Sequence, residues 1–302
     1  MVVAVTFNGG ATITRTLRSL AGQTYPQLDL LVVDNGSSDG TPDLIRRMDL
    51  VRPVEILELG ENLGVAAALN RGVTLAAERG YDWALLFDQD TDAAEDLVET
   101  FAQAFTGLHH ERIGTLFPKA GNAFRPSLTN PPLRWVNHNL APPPPEEMEQ
   151  ELVPVDSSLT SGSLLRVNAF LETEGFREDL FVDYVDHEFN LRLRRSGWDL
   201  YCVTAAEVLH RLGAEREVKT LRGPEIYREH SPFRYYYIAR NLLFCHLNLF
   251  EDGGSTPWVL AKIGAATLRI LRHDSHRAAA LCYICRGVFD GLLGRMGPRV
   301  RP

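Results

Sequence analysis

The 302-residue chain is poor in cysteine, with four residues at 202, 245, 282 and 285. Their spacing gives no disulfide framework for a chain this long, so disulfides are not expected to carry the fold. Cys282 and Cys285 make a lone C-x-x-C inside an apolar, helix-like run. With no second pair, they are expected to pack in the core rather than bind metal. No apolar stretch reaches about 18 residues without a charge, which argues against a membrane-spanning helix. The opening MVVAVTFNGG lacks the basic segment and apolar length of a secretion signal and reads as a first strand. The cytoplasm is therefore the expected compartment. No G-x-G-x-x-G follows that strand, which weakens a dinucleotide site. No G-x-x-x-x-G-K-[ST] occurs, which weakens a P-loop. Internal repeats are also absent.

The composition that remains is ordinary for a globular protein, at 45% hydrophobic and 23% charged residues. The net charge of -8 argues against a general nucleic-acid binder. That charge is split along the chain. Residues 230–302 hold 10 Lys/Arg against 4 Asp/Glu, a net of +6, leaving -14 for the first 229.

The first hundred residues alternate strand and helix patterns. Strands are expected at Val2–Thr6, Leu28–Asp34, Val54–Leu59 and Trp83–Phe87. Helices are expected at Ala11–Leu20, from Thr41-Pro42, and at Gly64–Arg79. Such β-α units predict an α/β fold with a mostly parallel, Rossmann-like sheet and helices on both faces. Further strands are expected at Arg112–Phe117, Val155–Arg166 and Leu200–Leu209. A helix over Asp186–Ser196 should end at Gly197. The Pro- and Asn-rich stretch 118–155 reads as a surface excursion. From about residue 226 the chain reads as a helical extension. The expected division is 1–225, with halves 1–105 and 106–225, followed by 226–302.

Polar residues collect at the carboxyl ends of the first four strands, where open α/β sheets bind ligands. They are Thr6 and Asn8, Asp34, Glu61 and Asn62, then Asp88 and Asp90. The alternative is that these residues only start loops and cap helices. Asp88-Gln89-Asp90 is the sharper feature. Its two carboxylates can hold a divalent cation and a sugar hydroxyl, and hard oxygen ligands suit Mg²⁺ or Mn²⁺. Such a metal would neutralise a diphosphate leaving group.

Val3–Asn8, Leu31–Gly40, Asn62-Leu63-Gly64 and Leu85–Thr91 resemble, in order and spacing, the inverting family 2 glycosyltransferases of the GT-A fold. Within that family the chain is most similar to the L-rhamnosyltransferases. Phe87-Asp88-Gln89-Asp90-Thr91, Leu180–Arg195 (LFVDYVDHEFNLRLRR) and Ser231–Leu243 (SPFRYYYIARNLL) carry that likeness. The resemblance implies that Thr6 contacts the nucleotide, Phe7 stacks on the base and Asp34 accepts from N3–H of uracil or thymine. Asn62, Asn70 and Arg71 would line the nucleotide-sugar pocket. Asp88 would hold the ribose, with Gln89 beside it, and Asp90 the metal. Asp186 falls on the catalytic base, although Val185 replaces the Glu of the usual Glu-Asp pair. Asp183 and Glu188 are the alternatives, and Glu188 is the expected acceptor-orienting acid. Asp186 as a mere helix cap is the plain reading. His210 would be a further metal or diphosphate ligand. Gly162, in Ser161-Gly162-Ser163, would lie in the acceptor loop. Arg234 and Arg240 would bind a diphosphate, while Tyr235, Tyr236 and Tyr237 read as core.

The implied activity is single-displacement transfer of L-rhamnose from dTDP-L-rhamnose to a lipid-linked glycan or a glycolipid. The acceptor would lie on the inner face of the cytoplasmic membrane, and rhamnolipid-type acceptors stay open. Residues 257–277 predict an amphipathic helix that places Lys262, Arg269, His273 and His276 against anionic lipid, or else leaves them as a solvated face. Two other classes fit parts of the sequence. One is a haloacid-dehalogenase-type phosphatase, disfavoured because the Asp-x-Asp sits on the fourth strand. The other is a non-catalytic sugar-nucleotide binder, disfavoured by the acids at 88, 90 and 186.

Overall fold

The structure is a computed structural model that describes residues 1–106, 112–122, 129–136, 139–211, 215–220, 223–249 and 256–301. Its first part is β1 (Val2–Thr6), α1 (Ile13–Ala21), β2 (Leu30–Asp34), α2 (Thr41–Arg46), β3 (Val54–Glu58), α3 (Val65–Glu78) and β4 (Trp83–Asp88). Short β5 (Thr91–Ala93) and α4 (Leu97–Thr106) lead into β6 (Ile113–Asn122). The excursion after β6 contains β7 (Thr129–Asn130), a hairpin of β8 (Arg134–Val136) and β9 (Asn139–Ala141), and β10 (Leu152–Pro154). Then come β11 (Ser163–Arg166), α5 (Val167–Glu172), α6 (Val185–Arg195) and β12 (Asp199–His210). The hairpin of β13 (Glu215–Thr220) and β14 (Gly223–Arg228) precedes three helices: α7 (Pro232–Leu249), α8 (Thr256–His273) and α9 (Arg277–Leu292).

Ten strands share one sheet, with the main order β10-β12-β6-β11-β4-β1-β2-β3. The strands β4-β1-β2-β3 are parallel, as their β-α spacing demands. β1 and β2 are buried at every position, which is why they read as unbroken apolar runs; β3 lies at the sheet edge and exposes Glu55 and Glu58. β11 runs antiparallel between β4 and β6. Two apolar clusters cover the two faces of the sheet. One gathers α3, α5 and α6; the other gathers α1 and α4. The expected strand over 155–166 is thus confined to its last four residues, β11, with a polar loop before it that follows β10, and β6 runs five residues further than expected.

The helical part begins at Pro232, after the β13–β14 hairpin. α7 is built into the body. Tyr235, Tyr236 and Tyr237 are buried, as expected, and each hydroxyl is bonded: to Asp274, to Asp290 at 2.8 Å and to the Val300 carbonyl at 2.6 Å. On α8, Val259, Ile263 and Ile270 are buried in the helical cluster and give no apolar face toward lipid. The Trp258 side chain lies outside the described ones. Lys262 and Arg269 of α8 are exposed yet touch neighbouring elements. Lys262 Nζ donates to Asn139 Oδ1 at 3.1 Å, and Arg269 and His273 lie against the Tyr227 ring. What faces outward is a different apolar set, Leu260 and Leu268 on α8 with Leu281, Phe289 and Leu292 on α9. Cys282 and Cys285 sit on that outer side too, exposed rather than in the core, because residues 281, 285, 289 and 292 repeat at helical spacing. Among the described residues, no helix is long and apolar enough to cross a membrane.

Candidate active site

Parallel register brings the polar strand ends level. Thr6 pairs with Asp34, Asp34 with Glu58, and Val5 with Asp88. Gln89 ties the first of these ends to the fourth: its Oε1 accepts from Thr6 Oγ1 at 2.9 Å and from the Phe7 amide at 2.8 Å. Asn8, held at φ 47°, stitches β1 to the loop after β2 through the Ser37 hydroxyl and the Ser38 amide. Thr6 and Asn8 therefore shape the crevice by bracing it; Phe7 faces into it. Asp34 is buried. Its Oδ2 accepts from the Ser37 amide at 2.9 Å, while Oδ1 has no hydrogen-bond partner. A buried acceptor in that state suits an imide N–H of a pyrimidine base. Asn35 and Asn62 join across the turn, and both line the crevice.

Asp88, Asp90 and His210 bring one ligand atom each to within 4.8 Å of one another. A fixed chain of hydrogen bonds holds this cluster. The Asp88 amide donates to Ser161 Oγ at 2.9 Å, Ser161 Oγ donates to Thr91 Oγ1 at 2.7 Å, and Thr91 Oγ1 meets His210 Nδ1 at 2.5 Å. This orients the imidazole as partners of metal-bound histidines do. Burial drives the Asp88 pKa up to about 7, with the charges of Asp90 and Asp186 adding to it. Burial also raises Asp90, against the opposing pull of His210. Two carboxylates and an imidazole that strain one another in this way fit a hard divalent cation.

The opposite wall is the segment before α6. Phe181, Asp183 and Tyr184 all have positive φ, at 68°, 61° and 63°. This corner turns the chain so that Asp186 enters the first turn of α6, near enough to Asp88 to raise its pKa. Asp183 is occupied: both its oxygens accept from Arg234, at 3.1 and 2.5 Å. Burial pulls Arg234 toward its neutral form, but Asp183 more than offsets this and keeps the guanidinium charged. Gly64, at φ 92°, lets the Asn62-Leu63-Gly64 turn approach this corner; a Cβ there would stand 2.6 Å from Phe181. Together these walls enclose a cleft of about 660 Å³. Its lining includes Asp88, Asp90, His210, Arg234 and the aromatic rings of Phe7, Phe181 and Phe233.

Several expected site residues lie elsewhere. Arg240 is fully buried and spends its donors on the carbonyls of Asp179, Leu180 and Gly297 and on Asn241, so no diphosphate reaches it. Glu188 is buried beneath a two-pronged pair with Arg192, at 2.9 and 2.8 Å, and does not face the cleft. Asn70 and Arg71 brace residues 176–178 through the Phe176 backbone and Glu178. Gly162, at φ 87°, packs against Pro118 and Val208, inside the sheet. Arg211 is a half-buried partner of Asp92 at 2.7 Å, not a solvated charge. Nothing local to either residue announces the Ser161–Thr91 relay, because its members are 70 residues apart. His230 and Ser231, also in the cleft lining, precede a helix and have no strand-end signature.

The fold and cleft are those of a GT-A glycosyltransferase. Among solved structures, the mannosyltransferase PcManGT from Pyrobaculum calidifontis, in complex with GDP-Man and Mn²⁺, matches at a TM-score of 0.58 and 17% identity, over 97% of this chain and 87% of that one. The family model for glycosyl transferase family 2 matches residues 1–130. The N-acetylglucosaminyl-diphospho-decaprenol L-rhamnosyltransferase of Mycobacterium tuberculosis is 32% identical over 234 residues, covering 69% of this chain and 75% of the relative. The dTDP-rhamnosyl transferase RfbF of Shigella flexneri is 26% identical over 214 residues, covering 70% and 68%. The chain belongs to glycosyl transferase family 2 and is a glycosyltransferase.

Proposed function

We propose that the enzyme transfers L-rhamnose from dTDP-L-rhamnose, with inversion, to a glycan on a lipid carrier or to a glycolipid. One structural observation carries the reaction type: Asp186 lies in the first turn of α6, near enough to Asp88 of the Asp88-Asp90-His210 cluster to raise its pKa. Both curated relatives named above are rhamnosyltransferases, which supports the sugar. Asp34 receives the thymine, Phe7 stacks on it, and Asp88 is placed for the ribose. Asp90 and His210, with Asp88, would hold Mg²⁺ or Mn²⁺, and such an ion would neutralise charge on a departing diphosphate. The imidazole favours Mn²⁺ of the two. Arg234, fixed by Asp183, adds a second cation on the diphosphate side. Asp186 takes the proton from the acceptor hydroxyl as that oxygen bonds to the anomeric carbon.

In this reading residues 1–225 form the catalytic domain, 1–105 serving the donor and 106–225 the acceptor. Residues 226–302 back the acceptor side, and their outward apolar set meets the inner membrane surface. A panel of nucleotide sugars with Mn²⁺ tests the donor. Product with dTDP-rhamnose well above that with UDP- or GDP-sugars is expected. Equal or better turnover of another sugar nucleotide overturns the assignment.

A further inference from the structure

A second cavity, of about 210 Å³, lies behind the first turn of α6. It shares no lining residue with the cleft. Tyr184 and His187 line it from either side of Asp186 in sequence. The β8–β9 hairpin supplies Trp135 and Asn139, α7 supplies Leu242 and His246, and α8 supplies Lys262. Three distant parts of the chain therefore meet here, beside the proposed base.

The chemistry of this lining is one-sided. Among the described residues it holds one ammonium, two imidazoles, an amide and two aromatic hydrogen-bond donors, and no carboxylate. Lys262 is anchored by Asn139 at 3.1 Å, and His187 by Ser157 at 2.7 Å, so both side chains are held in place. The remaining wall is apolar, from Leu133, Leu140, Leu191 and Leu242. Anion-binding groups set among leucines suit a group that is charged at one end and hydrocarbon at the other. The volume equals roughly seven waters, enough for a diphosphate and the first carbons of a chain but not for a whole lipid.

We infer that this cavity receives the diphosphate through which the acceptor sugar is joined to its lipid. The inference rests on the reading of Asp186 as the base. An acceptor hydroxyl at Asp186 places the sugar between the two cavities. The substituent on that sugar's far side then reaches past Tyr184 and His187. Burial lowers the Lys262 pKa, a desolvation that an anionic guest would relieve.

Calorimetric titration with farnesyl diphosphate, in EDTA to silence the metal cluster, tests the assignment. Binding is expected to weaken at least tenfold in Lys262→Met and to be retained in Lys262→Arg, with melting temperature preserved. Affinity for dTDP with Mn²⁺ stays unchanged in both variants. Farnesyl diphosphate binds at least tenfold more tightly than inorganic pyrophosphate or farnesol, and Trp135→Phe removes the fluorescence quench that accompanies binding. Equal binding by wild type and Lys262→Met, or pyrophosphate as tight as farnesyl diphosphate, overturns the inference. If Lys262-dependent binding holds but dTDP-rhamnose is not turned over, the donor assignment fails and the cavity stands. If turnover is normal and binding ignores Lys262, the cavity assignment alone fails.

Discussion

Asp186 and Asp88 must both be ionised to do their proposed work, one to take a proton and the other to hold a cation. Asp88 in the metal-free protein nevertheless keeps its proton up to about pH 7. Asp186→Asn is expected to lower kcat by about 10²–10⁴-fold, the usual worth of a general base, with dTDP affinity nearly unchanged. Near-normal turnover in steady-state assays would remove Asp186 from the role. For Asp88 the sign follows from linkage. Its folded pKa lies above the unperturbed 3.8, so its contribution to stability is full at low pH and is lost as pH rises toward about 7. A bound cation competes with that proton. Thermal melts with and without Mn²⁺ should show a much larger metal-induced rise in Tm at pH 8 than at pH 5; an equal rise at both would contradict the cluster. Asp88 and Asp90 were legible in the sequence because a strand end announces itself locally. The reason His210 belongs with them was not: its register opposite Thr91 joins positions 119 residues apart. Arg240 misled because a guanidinium in an aromatic helix looks the same in sequence whether it meets phosphate or carbonyl oxygens.

At the scale of elements, the corner before α6 is the most demanding piece of the fold. Three non-glycine residues with positive φ within four positions each cost on the order of 1–3 kcal/mol. α7 holds them. Asn241 Nδ2 reaches the carbonyls of Leu180, Val182 and Asp183 at 2.8–3.0 Å, Arg240 holds those of Asp179 and Leu180, and Phe181 stacks on Tyr237. The sequence motif of α7 thus acts on the proposed base, Asp186, through the loop that precedes it. Asn241→Ala should destabilise the protein by about 1–3 kcal/mol, since carbonyls lose a buried donor. It should lower kcat more than it raises the donor KM. A variant that melts earlier with kcat intact would reduce Asn241 to a purely structural part. The β-α alternation before residue 90 was readable because period and burial agree there. The excursion was not, since β7, β8 and β9 are two or three residues each and owe their existence to pairing partners.

At the scale of the whole molecule, the charge split is not a clean division of labour. The acidic portion supplies the carboxylates of the cleft; the basic portion supplies α7, α8 and α9 and sends Phe233 and Arg234 into the cleft wall. Lys262, Arg269 and His273 each touch the protein itself, while Leu260, Leu268, Leu281, Phe289 and Leu292 face outward and offer an apolar surface for membrane contact. Leu268→Asp combined with Phe289→Asp is expected to abolish flotation with anionic vesicles while leaving dTDP affinity unchanged. Flotation equal to wild type would assign the anchor elsewhere. The two thiols at 282 and 285 lie on this same outward side, while those at 202 and 245 are buried. A fluorophore or spin label offered to the native protein would therefore attach only to α9, and would report, without any substitution, whether that helix touches a bilayer.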